Sequence, residues 1–238
     1  MPQTGVMEDA NQYCPVAIAT EIVADRWTPL IIREFIVGAH TFSEIQNGIP
    51  RISRSLLSER LRQLVANGLI VKSEEQVGRP RYSLTPAGED LQDFVFGLGE
   101  WAIRWAYFSD PADDQLDNTH LIWRFRRGVL RDRVPDRRVV VEFVLDCPRR
   151  ATEHIWLVIE PGDVDACVKH PGFDVDIEVR TTSRELHRVW MGRTSIPDAI
   201  RAGTMEIDGA PVLIRAFPRW FSFSPFAPVI RRSMQPVG

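Results

Sequence analysis

Cysteine is scarce in this 238-residue chain, with only Cys14, Cys147 and Cys167 present. So few, and an odd number, exclude a disulfide framework and suit a reducing compartment, so a cytoplasmic protein is expected. No apolar run approaches the ~18 residues that a membrane span requires, and no membrane partner is expected. The opening stretch MPQTGVMEDANQYCPV lacks the basic patch and apolar core of a secretory leader. Enzyme signatures are missing as well. There is no G-x-S-x-G elbow, no glycine-rich phosphate loop and no H-E-x-x-H pair, and the five histidines are scattered without a base-and-orienter set. The chain therefore reads as a non-enzyme that needs no cofactor. Internal repeats and low-complexity tracts are absent. So is bulk positive charge: the formal net charge is −3, and residues 1–110 carry 10 basic against 14 acidic side chains. Binding to nucleic acid would have to rest on a local patch.

What is present begins as helices. In CPVAIATEIVADRW, Ile18, Ile22 and Val23 share a face, and Pro15 suits a first turn. WTPLIIREFIVGAH predicts a second helix with Thr28 as N-cap and Gly38 near its end. FSEIQNGIP predicts a short third helix, with Ser43 and Gln46 at capping-box spacing before a Gly-Ile-Pro break. The stretch RISRSLLSERLRQLVANGLI is the most ordered signal. Leu57, Leu61, Leu64 and Val65 form an apolar stripe, while Arg54, Ser55, Ser58 and Arg62 fall on the other side. Ser53 can cap the start and Asn67-Gly68 can end it. A hairpin follows, with arms Leu69–Val71 and Tyr82–Leu84 around a Gly78-Arg79-Pro80 tip, flanked by Lys72 and Arg81. Thr85-Pro86 then opens a long amphipathic helix with Leu91, Phe94, Val95, Leu98, Trp101, Ala102 and Trp105 on one face.

A short helix, a tight turn, a second helix and a hairpin make the order of a winged helix-turn-helix. The major groove of B-DNA, about 12 Å wide, admits one helix. Ser53, Arg54, Ser55, Ser58 and Arg62 would then read base edges, and Arg51, Arg79 and Arg81 would meet phosphate. Taken singly, each arginine could equally be a solvated surface residue; their grouping on one face and one tip favours DNA. Cys14-Pro15, Trp27, Phe42-Ser43-Glu44, Ile52-Ser53, Leu57, Leu61-Leu64 and the closing Tyr82-Ser83-Leu84-Thr85-Pro86-x-Gly88 resemble the HxlR family of bacterial winged-helix regulators. The resemblance covers residues 12–107. It implies a homodimer held by the first and last helices of the module, and a double-stranded DNA operator as partner. Cys14 sits before a helix N-terminus, where the helix dipole favours negative charge. The resemblance implies a thiol-based redox sensor as an alternative at this position; an inert, packed cysteine is the other reading.

The acidic, proline-bearing residues 109–118 read as a linker, which bounds an N-terminal domain over 1–108 and a C-terminal one over 119–238. HLIWRFRRGVLRDRVPDRR predicts one more helix. VVVEFVLD, HIWLVIE, DVDACVKH and FDVDIEVR predict strands. SRELHRVWMG and PDAIRAG predict helices, and TMEIDGAPVLIRAF predicts a hairpin across Asp208-Gly209. Thr182-Ser183, Trp190-Met191-Gly192, Asp198-Ala199-Ile200-x-x-Gly203 and Asp208-Gly209 resemble the sterol-carrier-protein-like domain. That resemblance implies an α+β fold: a mixed sheet with helices over one face, enclosing an apolar cavity for a hydrophobic small-molecule effector. Trp156, Phe173, Trp190, Phe217, Trp220 and Phe223 are the candidate ligand wall; a dense aromatic core is the alternative. The arginines from Arg124 to Arg138 read as a solvated face that pairs with the acidic linker, a second phosphate-binding stripe being the alternative. Cys147, His154, Cys167 and His170 lack zinc-finger gaps, so no metal is expected. The expected protein is a ligand-responsive DNA-binding regulator; the rival is a lipid carrier that does not bind DNA.

Overall fold

Proline sets the start of the first two helices, α1 (Pro15–Val23) and α2 (Thr28–Ile36), where its missing N–H needs no acceptor. The computed structural model describes residues 13–74, 80–106, 110–148 and 151–234. The chain divides into two units, Met1–Gly99 and Glu100–Gly238. Thr28 is not the cap of α2. The Asp25 carboxylate does that work, accepting from the N–H groups of Trp27 at 2.7 Å and Thr28 at 3.1 Å and from the Thr28 hydroxyl. A carboxylate one loop back reaches several free donors, whereas a hydroxyl already inside the first turn reaches none of them.

The capping box of α3 (Phe42–Gly48) is also shifted from its expected place. Thr41 accepts from the Glu44 N–H at 3.3 Å, and Glu44 accepts from the Thr41 N–H at 3.0 Å. Extended backbone ends at Thr41, so Ser43 lies inside the helix. Gln46 serves the next turn, donating to the Ile52 carbonyl at 2.7 Å. In α4 (Arg54–Ala66), Ser53 caps as expected, accepting from Leu56 N–H at 3.3 Å. Leu57, Leu61 and Leu64 are buried in the unit's core with Ile31, Phe35 and Ile45. At the end of α4, Gly68 adopts φ +68°, and Leu69 N–H bonds back to the Leu64 carbonyl at 3.0 Å. This left-handed close needs a residue without a Cβ.

Strands β1 (Ile70–Glu74) and β2 (Pro80–Leu84) pair antiparallel, with Ile70 opposite Leu84. The Thr85 hydroxyl donates to the Gly68 carbonyl at 2.6 Å and accepts from Gly88 N–H at 3.2 Å, tying the base of the hairpin to the end of α4. The single long helix expected after Thr85 is two: α5 (Pro86–Glu89) and α6 (Leu91–Trp105), with a turn at Asp90. Gly88 and Asp90, both weak helix formers, lie at the break.

In the second unit, α7 (Asn118–Arg127) starts on an Asp117 cap. It stops at Gly128 rather than continuing to the proline, because the chain there turns to bond the tail: Leu130 N–H reaches the Trp220 carbonyl and Ser222 N–H reaches the Gly128 carbonyl, both at 2.7 Å. Next come β3 (Val139–Asp146), β4 (Glu153–Ile159), β5 (Val164–Cys167) and β6 (Ile177–Thr182). They are followed by α8 (Ser183–Trp190), α9 (Ile196–Arg201), β7 (Met205–Gly209), α10 (Pro211–Ala216) and α11 (Ala227–Ser233). The sheet is mixed, in the order β5-β4-β3-β6-β7, with β3 and β6 parallel and the other neighbours antiparallel. No hairpin forms across Asp208-Gly209. Pro211 cannot donate to a ladder but suits a first helical turn, so β7 is followed by α10. Val139, Val141, Phe143 and Leu145 of β3 lie in one core with Leu121, Phe125, Leu186, Trp190, Phe217 and Trp220, so α7 and α8 cover that face of the sheet. No helix among the described residues is long and apolar enough to cross a membrane.

Candidate nucleic-acid interface

The inward side of α4 is apolar, formed by Leu57, Leu61 and Leu64, whereas Val65, expected in the same stripe, is exposed; the outward side of its first turns is polar. Arg54, Ser55, Ser58 and Arg62 are exposed, as are Arg51 and Ser53 just before the helix. Among the described residues, no carboxylate pairs with Arg51, Arg54 or Arg62. Arg54 is held instead by an aromatic ring: its guanidinium carbon lies 5.1 Å from the centroid of Phe42, the first residue of α3. This limits the positions the side chain samples before any anion arrives. The sequence reading missed Phe42 in this role, although its place opening α3 was visible. Arg62 Nε reaches the Ser58 carbonyl at 3.4 Å, and the Ser53 and Ser55 hydroxyls meet at 3.2 Å. Arg60, on the flank, turns inward toward Asp25, 3.8 Å away, and so ties α4 to the cap of α2.

The hairpin is tied by its own backbone to the residues just ahead of α3. Tyr82 N–H donates to the His40 carbonyl at 2.7 Å, and Arg81 bridges Thr41. Arg81 is half-buried and Lys72 is exposed. Arg79 and the expected turn at Gly78 lie outside the described residues. Cys14 is half-buried at the N-cap of α1, where its side chain makes no capping bond and its carbonyl accepts from Ile18 N–H at 3.1 Å.

This chain matches the HxlR-like helix-turn-helix family over residues 22–110. The uncharacterized HTH-type transcriptional regulator YvaP of Bacillus subtilis is 34% identical over 105 residues, 43% of this chain and 94% of its own length. The HTH-type transcriptional regulator YodB of the same organism is 33% identical over 106 residues, again 43% of this chain and 92% of YodB. The uncharacterized HTH-type transcriptional regulator YtfH of Escherichia coli is 32% identical over 92 residues, 38% of this chain and 73% of YtfH. The chain belongs to the HxlR-like helix-turn-helix family. Its relatives are transcriptional regulators, and in this HxlR-like chain the matched residues contain α4 and the hairpin arms.

The six aromatics expected to line a cavity in the second unit do not come together at one site. Phe217 and Trp220 are fully buried and packed edge to face, with ring centroids 5.5 Å apart. Trp190 and Phe223 surround Phe125, at 5.0 Å and 6.2 Å between centroids. Trp156 belongs to β4, where it stacks on His154 and meets the edge of His170. Phe173 is exposed under the Arg138 guanidinium. Among the described residues, clefts of about 350 and 340 Å³ lie within this unit; Trp190 borders the first and Phe223 the second.

The arginines of residues 124–138 also have different partners from those expected. Arg126 faces Asp163 and Asp165 at 3.8 and 3.9 Å, Arg137 pairs with Asp176 at 2.9 Å, and Arg138 pairs with Glu160 at 2.5 Å. The acidic residues expected to pair with them lie instead against α8 and the residues just after it: Asp113 with Arg184, and Asp110 with Arg188 and Arg193. Cys147 contacts Ser183 and Asn118, while His154 pairs with Glu142. Burial and the neighbouring Asp165 push the Cys167 thiol up, away from the reactive thiolate.

Proposed function

We propose that this chain is a dimeric, sequence-specific DNA-binding transcriptional regulator whose second unit senses a small molecule. Residues 1–108 form the DNA-binding and dimerisation part, 109–118 the link, and 119–238 the sensing part. α4 lies in the major groove, with Ser53, Arg54, Ser55, Ser58 and Arg62 toward base edges. Arg51, Arg79 and Arg81 meet the phosphates. The observation that carries this reading is the solvent face of α4, where two arginines have no carboxylate partner among the described residues, on a helix whose other face is packed leucine. Arginines set out in this way are available for an anion outside the fold. The family membership of residues 22–110 supports the same reading.

The dimer is supported by α6. Phe94 and Leu98 are each 44% exposed and Trp101 and Trp105 each 61%, an apolar stripe that a second copy would cover. The mixed sheet with helices on one face, together with the sterol-carrier-like motifs, supports a sensing role for the second unit.

The test is an electrophoretic shift of the chain's own upstream DNA. Full-length protein should shift it, and Arg54→Ala combined with Arg62→Ala should weaken binding about a hundredfold, since each good base contact is worth ~1–3 kcal/mol. The thermal midpoint should stay unchanged. Unaltered binding by the folded double variant would overturn the reading.

A further inference from the structure

Three arginines on or beside α8 address the acidic link. Arg184 and Arg188 are one turn apart on α8, and Arg193 is brought back to the same end by a left-handed close. Gly192 has φ +76°, and Arg193 N–H bonds to the Arg188 carbonyl at 2.9 Å. A Cβ on Gly192 would fall 2.5 Å from the Cβ of Ala227, so the close is fixed both by backbone and by packing. Arg184 donates to the Pro111 carbonyl and to Asp113, which anchors the link.

Asp110 is held more loosely. Its two oxygens lie 3.7 Å from Arg188 and 3.8 Å from Arg193, inside ion-pair range but beyond hydrogen-bond length with either. Beside it opens the cleft of about 350 Å³, whose walls include Leu121, Trp190 and Met191. Among the described residues, the N–H donors Trp190 Nε1 and Arg188 Nε of its lining are buried without a hydrogen-bond acceptor, the latter 3.7 Å from Glu185. Buried donors of this kind are costly unless an acceptor reaches them. The charged groups at the cleft are Arg124, Arg188 and Arg193 against Asp110 and Asp117. With Asp110 withdrawn, Arg124, Arg188 and Arg193 face Asp117 there, with Glu185 3.7 Å from Arg188. The cleft's size is at the bottom of the usual range for ligand pockets, about 300–1,000 Å³, which suits one ring rather than a long lipid.

We propose that this cleft binds a small organic monocarboxylate with a ring-sized apolar body, its carboxylate taking Arg188 and Arg193 in place of Asp110. Asp110 then acts as a built-in competitor, and the ligand frees the link at that point. The regulatory consequence rests on the proposed function above; the binding itself does not.

The experiment is calorimetric titration of full-length protein with benzoate, benzamide and acetate, followed by the operator shift at saturating benzoate. Benzoate should bind, with the neutral amide and the bodiless acetate each at least about tenfold weaker, the worth of one charge-assisted hydrogen bond. Arg188→Gln should weaken benzoate about tenfold. Asp110→Asn should tighten it several-fold, which a merely structural aspartate would not do. No benzoate binding, equal binding of benzamide or acetate, or weakened binding in Asp110→Asn overturns the site. Tight benzoate binding with an unmoved operator affinity overturns its regulatory role and leaves the site standing. Failure of the ligand-free protein to shift DNA would instead sink the proposed function.

Discussion

Several arginines of the two units differ in their partners, although Arg33 and Arg60 of the first meet Glu34 and Asp25. In the first, which is the more acidic stretch of chain, Arg51, Arg54 and Arg62 stand exposed with no carboxylate among the described residues to answer them. In the second, arginine after arginine meets an acid of its own unit: Arg126, Arg137, Arg138, Arg184 and Arg188 all do so. Net charge by region would have pointed the wrong way. What matters is whether a guanidinium has a partner inside the fold, because only one without a partner gains by meeting a phosphate outside it.

The largest effect expected from breaking this contrast is on stability. Trp220 is wholly buried in the second core, and Trp220→Ala should cost ~3–5 kcal/mol there. Calorimetry should show a second-unit transition lost or lowered, with the first unit's transition in place, since its core shares none of those residues. Next comes the salt dependence of operator binding. Arg51→Ala should lower the slope of log K against log salt by about 1, while Arg137→Ala with Arg138→Ala should leave it alone. A change in the second pair's slope would erase the distinction drawn between the two sets.

A smaller effect is expected at the cap. Ser53→Ala removes the acceptor for Leu56 N–H and should cost ~1 kcal/mol of first-unit stability, readable as a shift in its denaturation midpoint. The smallest concerns pH. Burial drives the His187 pKa down, Arg124 adding to it while the Ser183 carbonyl and Asp117 oppose it. The folded protein therefore resists the proton that the unfolded chain takes up near its ordinary value of 6.5. Second-unit stability should fall as pH drops below that point, and His187→Gln should flatten the decline.

Much of the first unit could be read locally. The spacing of Leu57, Leu61 and Leu64 fixed which side of α4 is packed, and so which side leaves Arg54 and Arg62 outside. Ser53 and Asn67-Gly68 mark ends by chemistry that acts within four residues. The caps of α2 and α3 were misplaced by two or three residues because Asp25 and Thr41 lie before the apolar pattern begins. The second unit was less legible. A strand followed by Pro211 looks like half a hairpin until the neighbours of β7 are known. Asp110 and Arg193 are far apart in sequence, and the linker's acids could as well have faced Arg124 to Arg138. The aromatics looked like a ligand wall by number alone, yet their neighbours divide them among a core, a strand and the surface.

By itself, the sequence determined the first unit's helices α1 to α4 and its hairpin arms, which face of α4 is apolar, and the family of residues 22–110. Those properties follow from period, capping and turn chemistry, whose range is a few residues. Only the tertiary structure decided which guanidinium groups have acids beside them and where a cleft opens. Ion pairing and packing depend on distances that chain spacing does not contain.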